Sequence, residues 1–354
     1  MHMVTRVRGN ATAHEGSAEA DALGRPLHQL RISVTDRCNF RCTYCMPKAV
    51  FGPNHRFLPR ADVLSFEEIE RLTRILAGVG VEKVRLTGGE PTLRRDLPQL
   101  AGMLAGIAGL REINLTTNGS RLVPLARPLK EAGLTRVTVS LDSLDDNTFR
   151  AMNDADFPVG RVLDGIEAVR EVGFDNIKVN TVVKRGVNDD GIVDIARHFR
   201  GTGVTVRFIE FMDVGASNGW RTKDVVTAEE ILARIDSAFP VEPLRNQYRG
   251  QVAERFRYRD GAGEIGVIAS VTRPFCGDCS RLRLSADGRL YTCLFGAVSH
   301  DVRHLLRGEA TDVEIEQRIR SIWGHRTDRY SERRRESTAS VVSDKRVEMS
   351  YIGG

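Results

Sequence analysis

All six cysteines of the chain fall into two groups of three, and this grouping is typical of metal sites. The first cysteine set is Cys38, Cys42 and Cys45, and the second cysteine set is Cys276, Cys279 and Cys293. Their spacings are Cys-x3-Cys-x2-Cys and Cys-x2-Cys-x13-Cys. Four thiolates close a [4Fe–4S] cluster, whereas three leave one iron free for an outside ligand. Each set therefore predicts an open cluster at which a substrate or its activating cofactor binds.

Structural zinc is the alternative for each set, and it requires four protein ligands. The first histidine after the first set is His55, which lies beyond Pro47 and Pro53. After the second set, His300 or His304 could complete a Cys3His site. Zinc is therefore disfavoured for the first set and stays open for the second.

The composition favours a protein with a sizeable core and no membrane segment. The chain has 354 residues, of which 41% are hydrophobic, and its formal net charge of +5 permits an anionic partner without selecting one. The N-terminus has no apolar signal segment, and no stretch approaches the roughly 18 apolar residues of a membrane span. We therefore expect a cytoplasmic protein, in which clustered thiols stay reduced and bind metal rather than form disulfides.

Short β-rich segments alternate with helical periods, and this order predicts the element pattern that must position the cysteines. The strands are predicted at 29–34, 83–87, 112–116, 136–140, 176–183 and 204–210, and the helices at 65–78, 97–108, 122–132, 160–172 and 190–201. Ser65 and Glu68 form the pattern of a capping box at the start of the first helix. Such repetition predicts parallel βαβ units, and six of them predict a TIM-like barrel or an incomplete (β/α)6 one. The incomplete barrel is the form that the family resemblance described below implies.

Polar turns follow four of these strands. They are TGGEP at 87–91, TTNG at 116–119, SLD at 140–142 and EFMD at 210–213. The carboxyl ends of the strands in a parallel α/β barrel meet at one mouth, so we expect these turns and the first cysteine set to converge there. The alternative is that Gly, Asn and Asp simply form turns.

The chain changes character beyond residue 222. A helix is predicted at 227–235, and Ala286-Asp287-Gly288 predicts a hairpin turn close to the second cysteine set. The segment HRTDRYSERRRES is crowded with arginines. We expect four parts: a disordered leader at 1–26, a partial barrel at 27–222, a region with the second Fe–S site at 223–322, and a basic mobile segment with a double-glycine tail at 323–354.

Several motifs resemble those of a known enzyme family. CNFRCTYC and LTGGEP resemble the cluster loop and the methionine-amine-binding turn of radical S-adenosylmethionine (SAM) enzymes. Together with LTTNG, VSLDSL, EFMDVG, CGDCSRLRLSADGRLYTCLF and the terminal SYIGG, they resemble the GTP 3′,8-cyclases of molybdenum cofactor biosynthesis. The resemblance covers residues 28 to 354. One departure is Ser280, which stands where the family pattern leads us to expect Asn.

The resemblance implies two [4Fe–4S] clusters, one on each cysteine set, with SAM bound at the open iron of the first. Reductive cleavage of SAM would release a 5′-deoxyadenosyl radical. The residues that match SAM-contacting positions are Tyr44, Gly88, Gly89, Ser140 and Met212. From the residues alone, core packing explains Tyr44 and Met212 equally well, and strand termination explains Ser140.

The resemblance further implies GTP as the substrate, with its guanine base at the second cluster. The radical would take hydrogen from ribose C3′, and the ribose carbon would then attack C8 to give 3′,8-cyclo-7,8-dihydroguanosine 5′-triphosphate. The substrate positions are Arg31, Arg85, Thr116, Lys178, Arg281 and Arg283. Strand alternation independently predicts that Arg31 and Arg85 point into the barrel if Ile32 and Leu86 pack against helices. A solvated basic strand face is the alternative for Arg281 and Arg283.

The double-glycine end matches a family tail that enters the active site, which implies a catalytic role for Gly353 and Gly354, although chain ends ordinarily fray. The resemblance also implies an electron donor of the flavodoxin or ferredoxin type, product hand-off to cyclic pyranopterin monophosphate synthase and a homodimer. It implies no nucleic-acid or membrane partner.

Two other functions fit parts of the sequence. One is a radical SAM peptide-modifying enzyme, although such enzymes usually carry more cysteines near the C-terminus. The other is a zinc-stabilised nucleic-acid-binding protein, which would need aromatic stacking platforms or a base-reading helix. Aromatic residues are only 6% of the chain, so the sequence disfavours the second alternative.

Overall fold

The computed structural model of the protein describes residues 19–248, 250–336 and 346–354. Its strands are β1 Gln29–Ser33, β2 Lys83–Thr87, β3 Glu112–Thr117, β4 Arg136–Ser140, β5 Lys178–Val183, β6 Thr205–Glu210, β7 Val241–Leu244, β8 Glu254–Tyr258, β9 Glu264–Ile268, β10 Arg281–Leu284, β11 Arg289–Tyr291 and β12 His300–Asp301. Its helices are α1 Phe66–Val79, α2 Leu97–Ala105, α3 Leu122–Glu131, α4 Asp146–Asn153, α5 Val159–Glu171, α6 Ile192–Phe199, α7 Ala228–Ala238, α8 Arg303–Arg307, α9 Asp312–Gly324, α10 Tyr330–Glu336 and α11 Met349–Ile352.

One mixed sheet organises these elements, in the order β12-β11-β10-β1-β2-β3-β4-β5-β6-β9-β8-β7. Strands β1 to β6 are parallel neighbours, which confirms the predicted radical SAM type of partial barrel. The C-terminal region extends both edges, because β10 pairs in parallel with β1 and β9 pairs in parallel with β6. Residues from β1 to β6, β9 and β10 all line one cavity, so the sheet curves around it.

The side chains of the strands alternate between this cavity and the helices outside. In β1 and β2, Ile32 and Leu86 are fully buried in the core, which also contains Leu72 of α1. Arg31 and Arg85, one residue earlier in each strand, lie side by side in the register and face the cavity. This is the orientation that the alternation predicts.

The predicted capping box at the start of α1 is present. The Glu68 backbone N–H donates to Ser65 Oγ at 3.1 Å, and the Ser65 N–H donates to Glu68 Oε2 at 2.7 Å. The hairpin turn at Ala286-Asp287-Gly288 is also present between β10 and β11. The short helix α4 was not predicted; it begins after Asp145, whose carboxylate accepts a hydrogen bond from Thr148 N at 2.8 Å.

Both ends of the described chain are more packed than the sequence suggests. Residues 1–18 of the predicted leader lie outside the described residues, but residues 19–26 are packed: Asp21 and Arg25 are buried, and Ala20 forms a β-bridge with Pro26. In the arginine-rich segment, Arg326 is buried and residues 330–336 form helix α10. In the described residues, an ion pair between Arg326 and Asp21 joins these two parts. Residues 337–345 also lie outside the described residues.

Within residues 19–248, 250–336 and 346–354, every helix is too short or too polar to cross a bilayer.

Candidate active site

A cavity of about 450 Å³ inside the curved sheet connects the two cysteine sets. All six cysteines line it, and none of them forms a disulfide. The first set reaches it from the loop after β1, and the second from the segments before β10 and after β11. Two sets separated by more than 200 residues in sequence thus open into one chamber.

Most of the other residues singled out from the sequence surround the same chamber. Those that line it are Arg31, Tyr44, Arg85, Gly88, Gly89, Thr116, Ser140, Lys178, Met212, Arg281, Arg283 and Gly354. Gly353 lies directly behind this lining, and its carbonyl accepts a hydrogen bond from Arg283.

The loop of the first cysteine set is shaped by Arg41. Its Nη1 donates to the carbonyls of Cys38 and Phe40 at 2.8 Å each, and its Nε donates to the Phe51 carbonyl at 2.8 Å. A turn then brings Cys45 back, with its N–H donating to the Cys42 carbonyl at 2.9 Å. The loop curls around one guanidinium, and this conformation turns all three thiols towards the cavity.

Gly88 and Gly89 allow the turn after β2 to press against this loop. A Cβ on Gly88 would overlap the Thr35 carbonyl, and one on Gly89 would overlap the Arg37 carbonyl. The N–H of Gly89 donates to the Thr35 carbonyl at 2.8 Å. The resemblance implies that these glycines contact SAM. In the structure, the absence of a Cβ at both positions also lets the turn pack against the protein's own cysteine loop.

Glu90 belongs to one of the expected polar turns, but the sequence motifs assigned it no role of its own; it is a buried connector. It accepts hydrogen bonds from Thr117 Oγ1 at 2.6 Å, Asn118 N at 2.7 Å and Thr92 N at 3.0 Å. Burial nevertheless raises the pKa of its carboxyl. The turns after β2 and β3 are therefore joined through one side chain, and Asn118 Nδ2 in turn lies 3.9 Å from Cys38 Sγ.

Tyr44 is oriented by Asp142, a second residue that the sequence left without a role. The Tyr44 hydroxyl donates to Asp142 Oδ2 at 2.7 Å, and Asp142 Oδ1 accepts from Val182 N at 2.9 Å. Burial raises the pKa of Asp142 to about 6 despite these hydrogen bonds. The ring of Tyr44 is thus held between the first cysteine set and the end of β4.

Cationic side chains cover the strand side of the cavity. On the strands they are Arg31, Arg85, Arg136, Lys178, Arg207, Arg255, Arg281 and Arg283, and Arg326 reaches the cavity from beyond the sheet. Burial and mutual repulsion lower the pKa of Arg31, and burial with repulsion from Arg207 and Arg136 lowers the pKa of Lys178 to about 7. The buried Arg31 Nε has no hydrogen-bond partner among the described residues. A buried concentration of positive charge with an unsatisfied donor is suited to a polyanionic ligand.

Arg136, Arg207 and Arg326 are functional candidates that the motifs did not supply. Arg136 and Arg207 stand at strand positions whose neighbours Val137 and Phe208 are fully buried, so alternation could have identified them as cavity-facing. Arg326 lies beyond the sheet and gave no such signal.

Cys279 of the second cysteine set has a different electrostatic environment from Cys38 and Cys293. Burial raises the pKa of Cys38 and of Cys293, in each case to about 12. Burial acts in the same direction on Cys279, but Arg281 and Arg326 outweigh it and lower its pKa to about 6. His300 and His304, the candidates for a fourth zinc ligand, do not line the cavity.

Six free thiols facing one cavity fit the donor set of two iron–sulfur clusters. Among the described residues, no three His, Cys, Asp or Glu side chains converge as they would around one metal ion. The three cysteines of a cubane need not converge in this way, because each of them binds a different iron.

The double-glycine tail is seated between β2 and β10. Gly353 has φ +73°, and a Cβ there would overlap the Thr87 side chain. A Cβ on Gly354 would come within 2.6 Å of the Met349 sulfur. Upstream, Glu348 Oε1 accepts from Ala216 N at 3.1 Å. This segment therefore lies beside the cavity. A side chain at Gly353 is excluded by its backbone angle and by Thr87, and one at Gly354 would have to displace Met349.

Two family models match consecutive parts of the chain. Residues 32–199 match the Radical SAM superfamily, and residues 204–332 match Molybdenum Cofactor Synthesis C. The boundary between them falls before β6, which pairs with strands on both sides. The two matched regions therefore share one sheet.

Curated relatives match nearly the whole chain. A GTP 3′,8-cyclase of Acidothermus cellulolyticus is 54% identical over 356 residues, with 94% of this chain and 98% of the relative covered. A GTP 3′,8-cyclase of Staphylococcus epidermidis is 45% identical over 335 residues, with the same coverage.

Solved structures support the fold. Streptococcus suis SuiB bound to S-adenosylmethionine aligns with a TM-score of 0.60 at 16% identity, covering 84% of this chain and 68% of that one. Another SuiB crystal structure aligns with a TM-score of 0.58 at 14% identity, covering 84% and 69%. At these identities the likeness shows a radical SAM fold and no more. The full-length relatives carry the narrower assignment: the chain belongs to the GTP 3′,8-cyclase family of radical SAM enzymes.

Proposed function

We propose that the protein converts GTP into 3′,8-cyclo-7,8-dihydroguanosine 5′-triphosphate, the first step of molybdenum cofactor biosynthesis. The observation that carries this proposal is the chamber itself, which both cysteine sets line together with a dense group of buried cations. A nucleotide triphosphate matches the cations, and two open clusters match a reaction that must activate a cofactor and hold a base at the same time.

Cys38, Cys42 and Cys45 would hold the first [4Fe–4S] cluster, and Cys276, Cys279 and Cys293 the second. With SAM bound and one electron from an outside reductant, the site on Cys38, Cys42 and Cys45 would supply radical chemistry directed at the hydrogen on ribose C3′. The protein's own contribution is to orient the reactants and to exclude competing hydrogen donors.

The SAM end of the chamber would be formed by Tyr44, Gly88, Gly89, Ser140 and Met212. The Asp142 carboxylate fixes the position of the Tyr44 ring, and the packing of Gly88 against Thr35 fixes the turn after β2. These contacts make the wall next to the first cysteine set rigid before any ligand enters.

The GTP end would be formed by Arg31, Arg85, Thr116, Lys178, Arg281 and Arg283. Thr116 Oγ1 accepts from Arg85 Nη1 at 2.9 Å, which directs one guanidinium across the chamber. Arg31 lies between Arg85 and Arg283 in the strand register. Neighbouring strands thus present a row of forked donors that suits the oxygens of a triphosphate.

The tail would complete this end of the chamber. The Gly353 carbonyl holds Arg283 in place, and Gly354 lines the cavity directly. We assign Gly353 and Gly354 to placing the substrate for hydrogen abstraction at C3′.

We also propose three partners. An electron donor of the flavodoxin or ferredoxin type would approach the exposed Arg37 and Arg56 near the first cysteine set, since such donors are acidic. Cyclic pyranopterin monophosphate synthase would receive the product, and a homodimer and a cytoplasmic location complete the proposal.

Anaerobic reconstitution with iron and sulfide, followed by incubation with SAM, a reductant and each nucleoside triphosphate in turn, tests the assignment. We expect 5′-deoxyadenosine and a cyclised nucleotide in a 1:1 ratio with GTP alone. The substrate assignment would be contradicted if SAM were cleaved at the same rate with every nucleotide and without any nucleotide. It would also be contradicted if no nucleotide stimulated SAM cleavage.

A further inference from the structure

A buried ionic cluster lies next to the second cysteine set, and its contacts with the backbone of that set have not been given a role above. We call it the arginine frame, and its members are Asp21, Arg25, Arg326 and Asp328. Asp21 and Arg25 precede β1, whereas Arg326 and Asp328 follow α9. The frame therefore joins the two ends of the described chain behind the cavity.

Asp21 and Arg25 form the centre of the frame. Arg25 Nε donates to Asp21 Oδ2 at 2.6 Å, and both side chains are completely shielded from solvent. Asp21 Oδ1 accepts from the backbone N–H groups of Leu23 and Arg25 at 2.9 Å each. Arg326 Nη1 lies 3.3 Å from Asp21 Oδ2, so one carboxylate holds two guanidinium groups.

Each segment that carries a cysteine of the second set is tied to this frame. Arg25 Nη1 donates to the Cys276 carbonyl at 2.9 Å, and Arg326 Nη1 donates to the Cys279 carbonyl at 2.7 Å. The third tie reaches the residue before Cys293, because Thr292 Oγ1 donates to Asp328 Oδ2 at 2.6 Å.

The frame is also connected within itself. Arg25 Nη1 donates to the Asp328 carbonyl at 2.7 Å, and Trp323 Nε1 donates to the Arg25 carbonyl at 3.1 Å. Trp323 is fully buried, so the frame is anchored in the core through α9. Arg25 does not line the cavity, and it therefore reaches the site only through the backbone that it holds.

We infer that the arginine frame positions the second cysteine set for iron binding, with Arg25 as the principal positioning residue. A planar guanidinium that bonds one carboxylate and two carbonyls in fixed directions sets the path of the turn at Cys276. This inference rests on the proposed second cluster. It adds that a segment upstream of β1 sets the geometry of ligands more than 250 residues away.

The test measures iron binding at each cysteine set alone. It uses two backgrounds, and in each of them the three cysteines of the other set are replaced with alanine. In the background that lacks the first set, reconstituted protein should bind about four irons through the second set. Adding Arg25→Met should lower this content by at least half and should broaden the EPR signal of the reduced cluster. In the background that lacks the second set, Arg25→Met should leave about four irons at the first set unchanged.

Arg71→Met is the matched control. Arg71 also bonds one carboxylate and two carbonyls across the molecule, through Asp312, Leu306 and Ala310, but none of these belongs to a cysteine. We expect normal iron content in both backgrounds. Arg25→Lys keeps the charge but cannot reach three acceptors together, so it should restore the iron only in part.

The outcomes are distinguishable. If the second set binds no iron even with Arg25 intact, the proposed second cluster fails. If it binds iron that Arg25→Met leaves unchanged, the positioning inference alone is overturned. Equal iron loss from both backgrounds would show general destabilisation and would also overturn the inference. Thr292→Val, which retains side-chain volume but removes the hydroxyl that donates to Asp328, should alter the EPR signal of the second set only, and an unaltered signal would count against the third tie.

Discussion

At the scale of single residues, the site depends on where side chains are absent as much as on where they are present. Gly353 combines a positive φ with contact against Thr87, so both its backbone angle and its surroundings exclude a larger residue. Its carbonyl also accepts a hydrogen bond from Arg283. Gly353 therefore supports the chamber wall that Gly354 lines.

Gly353→Ala should abolish most cyclisation while both clusters remain loaded. The new methyl group would displace the tail from Thr87 and release Arg283, and such a misplacement costs on the order of 100-fold in rate. The measurement is product formation per iron-loaded protein. Gly324→Ala is the control, because a Cβ there meets nothing within 4 Å. If the Gly353→Ala variant or Gly354→Val turned over at the wild-type rate, the proposed role of the tail in the site would be contradicted.

Lys178 predicts a pH dependence of GTP binding. Its pKa of about 7 in the empty chamber lies below the usual lysine value of 10.5, so it loses its proton as the pH rises through 7. A bound triphosphate favours the charged form and raises the pKa again. Binding at about pH 8 should therefore take up a proton, and affinity should fall between roughly pH 7 and pH 9.

Calorimetry at pH 8 in two buffers of different ionisation enthalpy measures this uptake. The Lys178→Arg variant keeps its charge throughout this range and should take up less. Identical binding enthalpies in both buffers for the unmodified chain would contradict the prediction.

At the scale of secondary structure elements, the turns after β2 and β3 behave as one unit because both bond to Glu90. The turn after β6 shows the contrast. Glu210 was expected among the polar turns of the mouth, but its carboxylate accepts hydrogen bonds from the backbone of Ala228, Val271 and Thr272. It lines the cavity, as expected, and its carboxylate also stabilises the junction of β6, α7 and the segment after β9.

Glu90→Ala should destabilise the protein by about 2–4 kcal/mol, because several buried donors lose their acceptor together. Denaturant unfolding of the protein without clusters measures this loss. The exposed Glu309→Ala is the control, and it should change stability by less than about 0.5 kcal/mol. A Glu90 variant as stable as the control would show that solvent replaces these bonds.

Local sequence patterns were sufficient to predict many of the secondary structure elements and the direction of some of their side chains. The alternation of Arg31 and Arg85 with the buried Ile32 and Leu86 predicted the direction of both arginines. The capping residues predicted the start of α1. Asp21, Arg25 and Arg326 could not be found in this way, because their partners are remote in sequence and no period reveals a buried ion pair. The parallel pairing of β10 with β1 and of β9 with β6 was likewise hidden, since the partners are many residues apart in sequence.

At the scale of the whole molecule, Asp213 attaches the C-terminal segment to the mouth of the sheet. Its carboxylate accepts from the Tyr330 hydroxyl at 2.6 Å and pairs with Arg334 and Arg346. The side chain is 7% exposed, so solvent offers little replacement for these contacts.

Asp213→Asn should loosen the C-terminal segment without unloading either cluster. Trypsin should then cleave after Arg346 several-fold faster, since local opening becomes easier. Mass spectrometry of timed digests detects the released peptide, and iron content provides the control. Unchanged cleavage with reduced turnover would mean that Asp213 acts on the reactants rather than on the tail.

The pairing of β1 with β10 has a consequence for biosynthesis of the chain. β1 is among the first strands to leave the ribosome, yet one of its edges stays bare until residues 281–284 have been translated. An unpaired edge strand is a template for association with other chains. Nascent copies should therefore depend on holdase chaperones through most of their synthesis, and slow translation should increase their loss to aggregates.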